Sequence, residues 1–108
     1  MNYPKPGEIW LADLGLAAKT RPVIIVSRSD PNPPRMLIIF VPLTTQYRQS
    51  SYEIEIPDLH FLNKKTYANV QGLGSLPNVR LERKIGELPV SVMQKVKRAI
   101  IFVLDLSE

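Results

Sequence analysis

The first half of the chain has the pattern of three strands separated by turns. In "EIWLADL" (8–14) apolar residues alternate between two faces, which predicts a first strand. A second strand is predicted at 21–28, where the unbroken apolar run Val23–Val26 indicates that both faces are covered. After the proline-rich turn "SDPNPP", the segment "RMLIIFVPLT" (35–44) is its predicted hairpin partner. Pro42 lacks an N–H group, so we expect this strand to weaken or become an edge there.

The second half continues with shorter strand signals. "SYEIEIP" (51–57) alternates polar and apolar residues, as expected of a strand with one solvated face. "DLHFLNKK" is predicted to be a loop or a single helical turn. "TYANVQGLG" is predicted to be a strand that stops at Gly72 and Gly74, and "RKIGEL" (83–88) a brief strand or turn.

The period changes to that of a helix at the end of the chain. Pro89 suits the first helical turn or the position before it, and the opposite face carries Gln94, Lys95, Lys97 and Arg98. The fold class is therefore mainly β: one domain over residues 1–108, with about five to seven mostly antiparallel strands in a small, partly open barrel and a C-terminal amphipathic helix. The apolar stripe of that helix comprises Val92, Met93, Val96, Ala99, Ile100, Val103 and Leu104.

Composition narrows the possible functions. The net charge of +4 favours an anionic partner, either nucleic acid or an acidic protein. The chain has no cysteine and one histidine, His60, which excludes a thiolate metal site and paired-histidine chemistry within one chain. We expect His60 to be a loop residue and predict no metal and no cofactor. No segment has the length of a membrane span or the apolar core of a signal peptide, so we expect a cytoplasmic protein without a membrane partner.

One arginine stands at the start of the second strand, and its role is ambiguous from local sequence. Arg21 in "KTRPVIIVS" is either a solvated cap on the strand or a cation positioned to meet an anion. Thr44 and Thr45 in "VPLTTQ" would ordinarily be turn hydroxyls bonded to the backbone, and Gln46 a surface residue. Taken one at a time, these residues favour the structural interpretation.

Their joint occurrence changes that balance. "GEIWLADLG", "KTRPVIIVS", "VPLTTQ" and "GELPVSVMQKVKRAI", in this order over almost the whole chain, resemble the MazF/PemK/Kid family of bacterial toxin–antitoxin toxins. The resemblance implies an SH3-like barrel of the CcdB/PemK type, a homodimer, and a metal-independent endoribonuclease that cleaves single-stranded mRNA and inhibits translation and growth. It also implies an acidic antitoxin whose extended tail fills the RNA groove.

The same resemblance assigns site residues. It implies that Arg21 and Thr44 are catalytic, with Arg21 meeting the scissile phosphate and Thr44 holding a phosphate oxygen or the arginine. It further implies substrate contacts from Thr45, Gln46, Lys19 and Gln71. Trp10 is predicted to lie in the core or at the dimer interface. The other cations are expected to be solvated, with some lining the RNA path: Lys64, Lys65, Arg80, Arg83 and Lys84.

Two segments depart from the family pattern. The connection "GLAAKT" is several residues shorter than the loop that many members place between the first two strands. Val70 precedes Gln71, and Gly72 and Leu73 follow it, where relatives often carry polar residues. The alternative hypothesis is a non-catalytic barrel that binds nucleic acid or a protein such as DNA gyrase, as CcdB-type toxins do, although nothing in "FVLDLSE" matches that class.

Overall fold

The computed structural model describes residues 3–15 and 20–107. This part of the chain forms seven strands, two single 3₁₀ turns (Val70–Gly72 and Asn78–Arg80) and one helix. The strands and the helix, in chain order, are β1 (Glu8–Asp13), β2 (Thr20–Ile25), β3 (Leu37–Thr44), β4 (Glu53–Ile56), β5 (Thr66–Asn69), β6 (Gly74–Pro77), β7 (Leu81–Glu87) and α1 (Val90–Val103). The predicted fold class, mainly β with antiparallel strands and a C-terminal helix, is confirmed.

All strand pairs are antiparallel, and β3 is the centre of the sheet. The strand order is β4-β5-β3-β2-β1-β7, with β6 paired to β3 off this path. One edge of β3 pairs with β2, while its other edge pairs first with β6, over 37–40, and then with β5, over 43–44. Because two different strands pair with one edge of β3, the sheet divides at that edge.

As expected, β3 has a neighbour on one edge only at Pro42. The strand continues to Thr44, but Val41 and Pro42 pair with β2 alone, and the two residues after them pair with β5 alone. Pro42 lies between Phe40, the last residue paired with β6, and Leu43, the first residue paired with β5. A residue without an N–H group is tolerated there because that edge of β3 changes partner at this point.

Alternation along the strands buries two apolar clusters, one on each face of β1–β3. The helix-side core lies under α1 and the opposite core lies under β6. The helix-side core contains Ile9, Ile24, Val41, Leu43, Ile56, Ala68, Val70, Leu88, Met93, Val96 and Ala99. The opposite core contains Ala12, Val23, Ile25, Ile38, Phe40 and Leu76. Val23, Ile24 and Ile25 are fully buried, which confirms that both faces of the second strand are covered.

The helix follows its predicted pattern with one exception. Pro89 is the residue before the first turn, and Met93, Val96 and Ala99 are buried against the helix-side core. The polar face is exposed as expected. Leu104, predicted in the stripe, lies beyond the end of α1 and is half exposed, because the chain leaves the helix before this side chain reaches the core.

The segment 66–77 differs from the prediction of one strand that stops at two glycines. β5 ends at Asn69, a 3₁₀ turn follows, and Gly74 begins β6 instead of ending a strand. Gly72 is required by close packing, because a Cβ atom there would lie 2.9 Å from both Asn69 Nδ2 and Pro42 Cγ. The predicted brief strand or turn at 83–88 is the end of the seven-residue β7.

Trp10 packs against the opposite core, which agrees with one of the two positions predicted for it, the core. Its indole Nε1 donates a hydrogen bond to Glu8 Oε1 at 2.9 Å. Burial by itself raises the pKa of Glu8. The effect of burial is outweighed by hydrogen bonds that the carboxylate accepts from Trp10, from the backbone N–H of Lys5 and from Lys84, and by the charge of Lys84. These interactions hold the pKa of Glu8 below its ordinary value. Glu8 is therefore an ionised, nearly buried carboxylate that links β1 to β7 through its ion pair with Lys84. Sequence periodicity did not identify this contact.

In residues 3–15 and 20–107 there is no helix with the length and apolar character needed to cross a membrane.

Candidate functional site

The register between β2 and β3 brings Arg21 and Thr44 together. Val23 is the cross-strand partner of Pro42. The β2–β3 ladder ends at this pair, and alternation along each strand from it points the side chains of Arg21 and Thr44 to the same face. Both residues line one cavity. The two predicted catalytic residues are thus neighbours in space although 22 residues of chain separate them.

The β3–β5 and β4–β5 pairings extend this arrangement. Thr44 lies opposite Tyr67 in β5, and Tyr67 lies opposite Glu55 in β4. A cross-strand row of side chains, Thr44, Tyr67 and Glu55, therefore runs over three strands, and Arg21 lines the same groove as Thr44. Neighbouring members are about one strand spacing apart, roughly 5 Å.

Two adjacent depressions open on either side of Thr44. The main groove, of about 420 Å³, lies where β3 ends and β2 and β5 begin. The side groove, of about 210 Å³, lies under the loop that joins β3 to β4. Thr44 and Gln46 line both. The other residues of the main groove are Arg21, Pro22, Leu43, Thr45 and Thr66, and those of the side groove are Arg48, Ser50, Tyr52, Glu53, Asn69 and Gln71.

The Thr44 hydroxyl has a defined orientation. Its Oγ1 accepts a hydrogen bond from the backbone N–H of Gln46 at 3.1 Å. This is the turn-type bond that the sequence suggested, and it uses only the acceptor capacity of the hydroxyl. The O–H proton remains available for an acceptor in the main groove. Thr44 is therefore both a turn residue and a positioned donor.

A carboxylate organises the loop that carries Gln46. Glu53 Oε1 accepts hydrogen bonds from the N–H groups of Arg48 and Ser50, at 3.1 and 3.2 Å, and from Ser50 Oγ at 3.0 Å. Gln49, between the two backbone donors, has the positive φ of 55° that this tight turn requires. The loop is therefore held to the first residue of β4 by three donors.

An aromatic pair stands next to the grooves. The rings of Tyr47 and Tyr67 are stacked, with centroids 4.3 Å apart and planes within 3° of parallel. Tyr67 is buried and Tyr47 is about half exposed. Tyr47 follows the groove residue Gln46 in the chain, and Tyr67 is the cross-strand neighbour of Thr44, so the pair lies beside both grooves.

The structure brings most of the predicted site residues together. Arg21, Thr44, Thr45 and Gln46 line the main groove, and Gln71 lines the side groove that shares Thr44 and Gln46. Lys19, and most of the short connection before β2, lie outside the described residues. His60 is in a loop, as predicted. Its ring lies edge-on to that of Phe61.

Two of the cations expected to be solvated are paired with carboxylates. Lys84 contacts Glu87 at 2.7 Å and Glu8 at 3.2 Å, and the hydrogen bond to Glu87, followed by that to Glu8, raises the pKa of Lys84. Lys65 contacts Glu55 at 2.9 Å, and this hydrogen bond raises the pKa of Lys65. Both lysines are exposed, as expected, and their ion pairs were not predicted.

Arg80 lies elsewhere, along a third depression. With Leu14, Pro42 and Gly72, it lines a cavity of about 380 Å³ on the β6 side of the main groove. Lys64 and Arg83 are exposed and line none of the three depressions. Among the residues that the structure describes, no three histidine, cysteine or acidic side chains are grouped as a metal site would need.

Sequence reasoning missed several groove residues and the aromatic pair. Thr66, Arg48, Glu53 and Asn69 line the grooves, and Tyr47 and Tyr67 stack beside them. The signal for Glu53 and Ser50 was local, since a carboxylate three residues after a serine can close a turn. Thr66, Asn69 and Tyr67 carried no signal, because only the β3–β5 register places them near Thr44.

Solved structures of similar fold are toxins and endoribonucleases. An endoribonuclease from a mycobacterial species, solved in complex with its cognate antitoxin, is 25% identical over 97% of this chain and 98% of its own, with a TM-score of 0.83. The Mycobacterium tuberculosis toxin MazF-mt6 is 28% identical over 94% of this chain and 99% of its own, with a TM-score of 0.82. A MazE–MazF structure from Deinococcus radiodurans superimposes with a TM-score of 0.84 at 19% identity, over 99% of this chain and 100% of its own, which concerns the fold alone.

The family model places the chain more specifically. Residues 5–104 match the model of the PemK-like, MazF-like toxins of type II toxin–antitoxin systems. The chain therefore belongs to this toxin family, as the resemblance of its motifs predicted.

Proposed function

We propose that the protein is the toxin of a type II toxin–antitoxin pair and acts as a metal-independent endoribonuclease on single-stranded RNA. The observation that carries this proposal is that Arg21 and Thr44 line the same groove. Similarity to structures described as endoribonucleases supports the same activity.

The reaction needs no nucleophile from the protein, because RNA supplies its own 2′-hydroxyl. The 2′-oxygen attacks the adjacent phosphorus and loses its proton, and the bond from phosphorus to the 5′-oxygen breaks. The departing 5′-oxygen takes up a proton, so the products are a 2′,3′-cyclic phosphate and a 5′-hydroxyl. The protein must hold this alignment and stabilise the added charge on the phosphate oxygens.

Arg21 is suited to charge stabilisation. A planar guanidinium can donate two parallel hydrogen bonds to phosphate oxygens. Guanidinium groups in general are poor general acids, so protonation of the leaving oxygen is at most a secondary role of Arg21. Arg21 is exposed at the groove rim and makes no side-chain hydrogen bond or ion pair with the described residues. Its charge is therefore available to a ligand.

Thr44 supplies the second phosphate donor. Its β-branched side chain has few rotamers, and the bond from the Gln46 N–H fixes the hydroxyl further. Thr45, Gln46 and Gln71 are proposed to contact the RNA chain on either side, since they line the two grooves that meet at Thr44. Arg48, exposed on the side groove, adds a cation to the same path.

We also propose a homodimer and an acidic antitoxin as partners. An apolar group at the start of β3 supports self-association, because Met36, Leu37 and Ile39 are each more than two-fifths exposed. The net charge of +4 favours an acidic partner segment over the cationic grooves. The complexes of similar fold with MazE or a cognate antitoxin support the same partnership.

The test is cleavage of mixed-sequence single-stranded RNA in the presence of EDTA. We expect wild-type protein to cleave and Arg21→Ala to lose about 100- to 1,000-fold in kcat, the usual loss when one preorganised donor to a developing charge is removed. Arg21→Lys should recover part of the rate, because it keeps the charge but not the two-pronged geometry.

Arg98→Ala is the matched control, since Arg98 is an exposed arginine on the polar face of α1. It should cleave at the wild-type rate, and all variants should keep the wild-type circular dichroism spectrum and Tm. Intact RNA after prolonged incubation with wild-type protein would count against the proposal. A requirement for added divalent metal would overturn its metal-independent form.

A further inference from the structure

The stacked tyrosine pair is not explained by phosphate chemistry. Tyr67 is 8% exposed and Tyr47 is 48% exposed, although the two rings are nearly parallel at 4.3 Å. One face of Tyr47 is therefore used against Tyr67, and the exposure of the residue comes from its other face and edge. In sites for single-stranded nucleic acid, unpaired bases stack on aromatic side chains, which requires a ring with one free face.

The position of the pair fits a ligand bound at Arg21 and Thr44. Tyr67 is the direct cross-strand neighbour of Thr44, and Tyr47 follows Gln46, which lines both grooves. Tyr67 is one strand spacing from Thr44, roughly 5 Å, and Thr44 shares the main groove with Arg21. A base attached close to the phosphate at Arg21 and Thr44 is therefore within reach of the outer face of Tyr47.

The platform is also held in place before a ligand arrives. Its loop is tied to Glu53 by the N–H groups of Arg48 and Ser50, immediately after Tyr47. The residue before it is fixed by the bond from the Gln46 N–H to Thr44. Tyr47 is thus bracketed by two anchored turns, and its ring loses little further freedom when a base stacks on it.

We propose that the outer face of Tyr47, backed by Tyr67, is a nucleobase-binding site that stacks an unpaired base next to the scissile phosphate. The proposal rests on the proposed function in one respect, that the ligand of the grooves is single-stranded RNA. Stacking tolerates any base, and purines offer the larger π-face, so the site should favour a purine at the position that it contacts.

The test measures binding without cleavage. A fluorescently labelled 2′-O-methyl oligoadenylate, which has no free 2′-hydroxyl, is compared with an abasic chain of the same backbone and length by fluorescence anisotropy. Wild-type protein should bind the oligoadenylate more tightly. Tyr47→Ala should raise the Kd for oligoadenylate about 5- to 100-fold and leave the Kd for the abasic chain within about twofold.

Two further variants separate stacking from structure. Tyr47→Phe keeps the ring and should retain the affinity for oligoadenylate. His60→Ala removes another exposed ring, from a loop outside both grooves, and should change neither Kd. Equal losses on the base-containing and abasic chains would show that Tyr47 only supports its loop and would overturn the proposal. No loss on oligoadenylate, or no preference of wild-type protein for it, would also overturn it.

The two proposals can fail separately. Wild-type protein that binds oligoadenylate through Tyr47 but leaves RNA intact in EDTA would refute the nuclease and keep the base site. Wild-type protein that cleaves RNA, with Tyr47→Ala equal to it in binding and rate, would refute only the base site.

Discussion

The Glu53 carboxylate provides the sharpest test of how the grooves are built. In Glu53→Ala, the N–H groups of Arg48 and Ser50 and the hydroxyl of Ser50 lose their shared acceptor. These donors are at or near the surface, so water replaces the carboxylate and the core is unaffected. We expect the loop between β3 and β4 to become mobile while the barrel stays folded.

The magnitude follows from the number of bonds and their exposure. Hydrogen bonds to a charged group contribute about 1.5–3 kcal/mol, but exposed ones are at or below the low end, about 1 kcal/mol each. Loss of two backbone bonds should therefore cost the ordered loop about 2 kcal/mol, which corresponds to about 30-fold faster hydrogen exchange. Because the loop holds Gln46 and Tyr47 at the grooves, kcat/KM on RNA should fall about 10- to 100-fold.

Hydrogen exchange at the Arg48 and Ser50 amides, followed by NMR, measures the loop directly, and urea denaturation measures the barrel. Glu55→Ala is the matched control, because Glu55 lies two residues along the same strand and pairs only with the exposed Lys65 among the described residues. It should leave both amides protected and change the free energy of unfolding by less than about 0.5 kcal/mol.

Unchanged exchange of both amides in Glu53→Ala would refute this account of the loop. Equal acceleration in Glu53→Ala and Glu55→Ala would refute it as well, since it would then reflect the lost strand charge and not the acceptor at Glu53.

Two further predictions concern the barrel. In Gly86→Ala the new Cβ would overlap ring atoms of Phe61 and lie 2.8 Å from its Cδ1, so urea denaturation should show a free energy of unfolding lower by about 1–3 kcal/mol. In a Phe61→Ala background the same substitution should cost nothing further, because the overlapping ring is gone. An equal cost in both backgrounds would exclude the overlap as its cause. The pKa of Glu8 is lower in the folded chain than its ordinary 4.5, so its carboxylate contributes stability above that pH, which is lost as pH falls through the folded pKa. Glu8→Gln should flatten this acid limb of Tm against pH, and an unchanged limb would contradict the role of Glu8.

The candidate site was predictable as residue types but not as an arrangement. Arg21 and Thr44 were identified because their motifs resemble a family, while each residue alone favoured a structural role. Tyr47 and Tyr67 gave no comparable signal, because their stacking depends on a contact between the β3–β4 loop and β5. Glu53 carried only the local signal of a carboxylate that closes a turn, which does not show that the turn borders a groove.

By itself the sequence determined the β-rich class, the faces of most strands and the C-terminal helix, because side-chain periods of 2 and 3.6 are local properties of the backbone. Only the tertiary structure decided that one edge of β3 pairs with both β5 and β6, that Glu8 and Lys84 meet, and that Arg21 and Thr44 line one groove. Pairing partners and register are set by the combined burial of distant segments, and a slip of one residue would turn Arg21 and Thr44 to opposite faces. The site therefore depends on register more than on any one side chain.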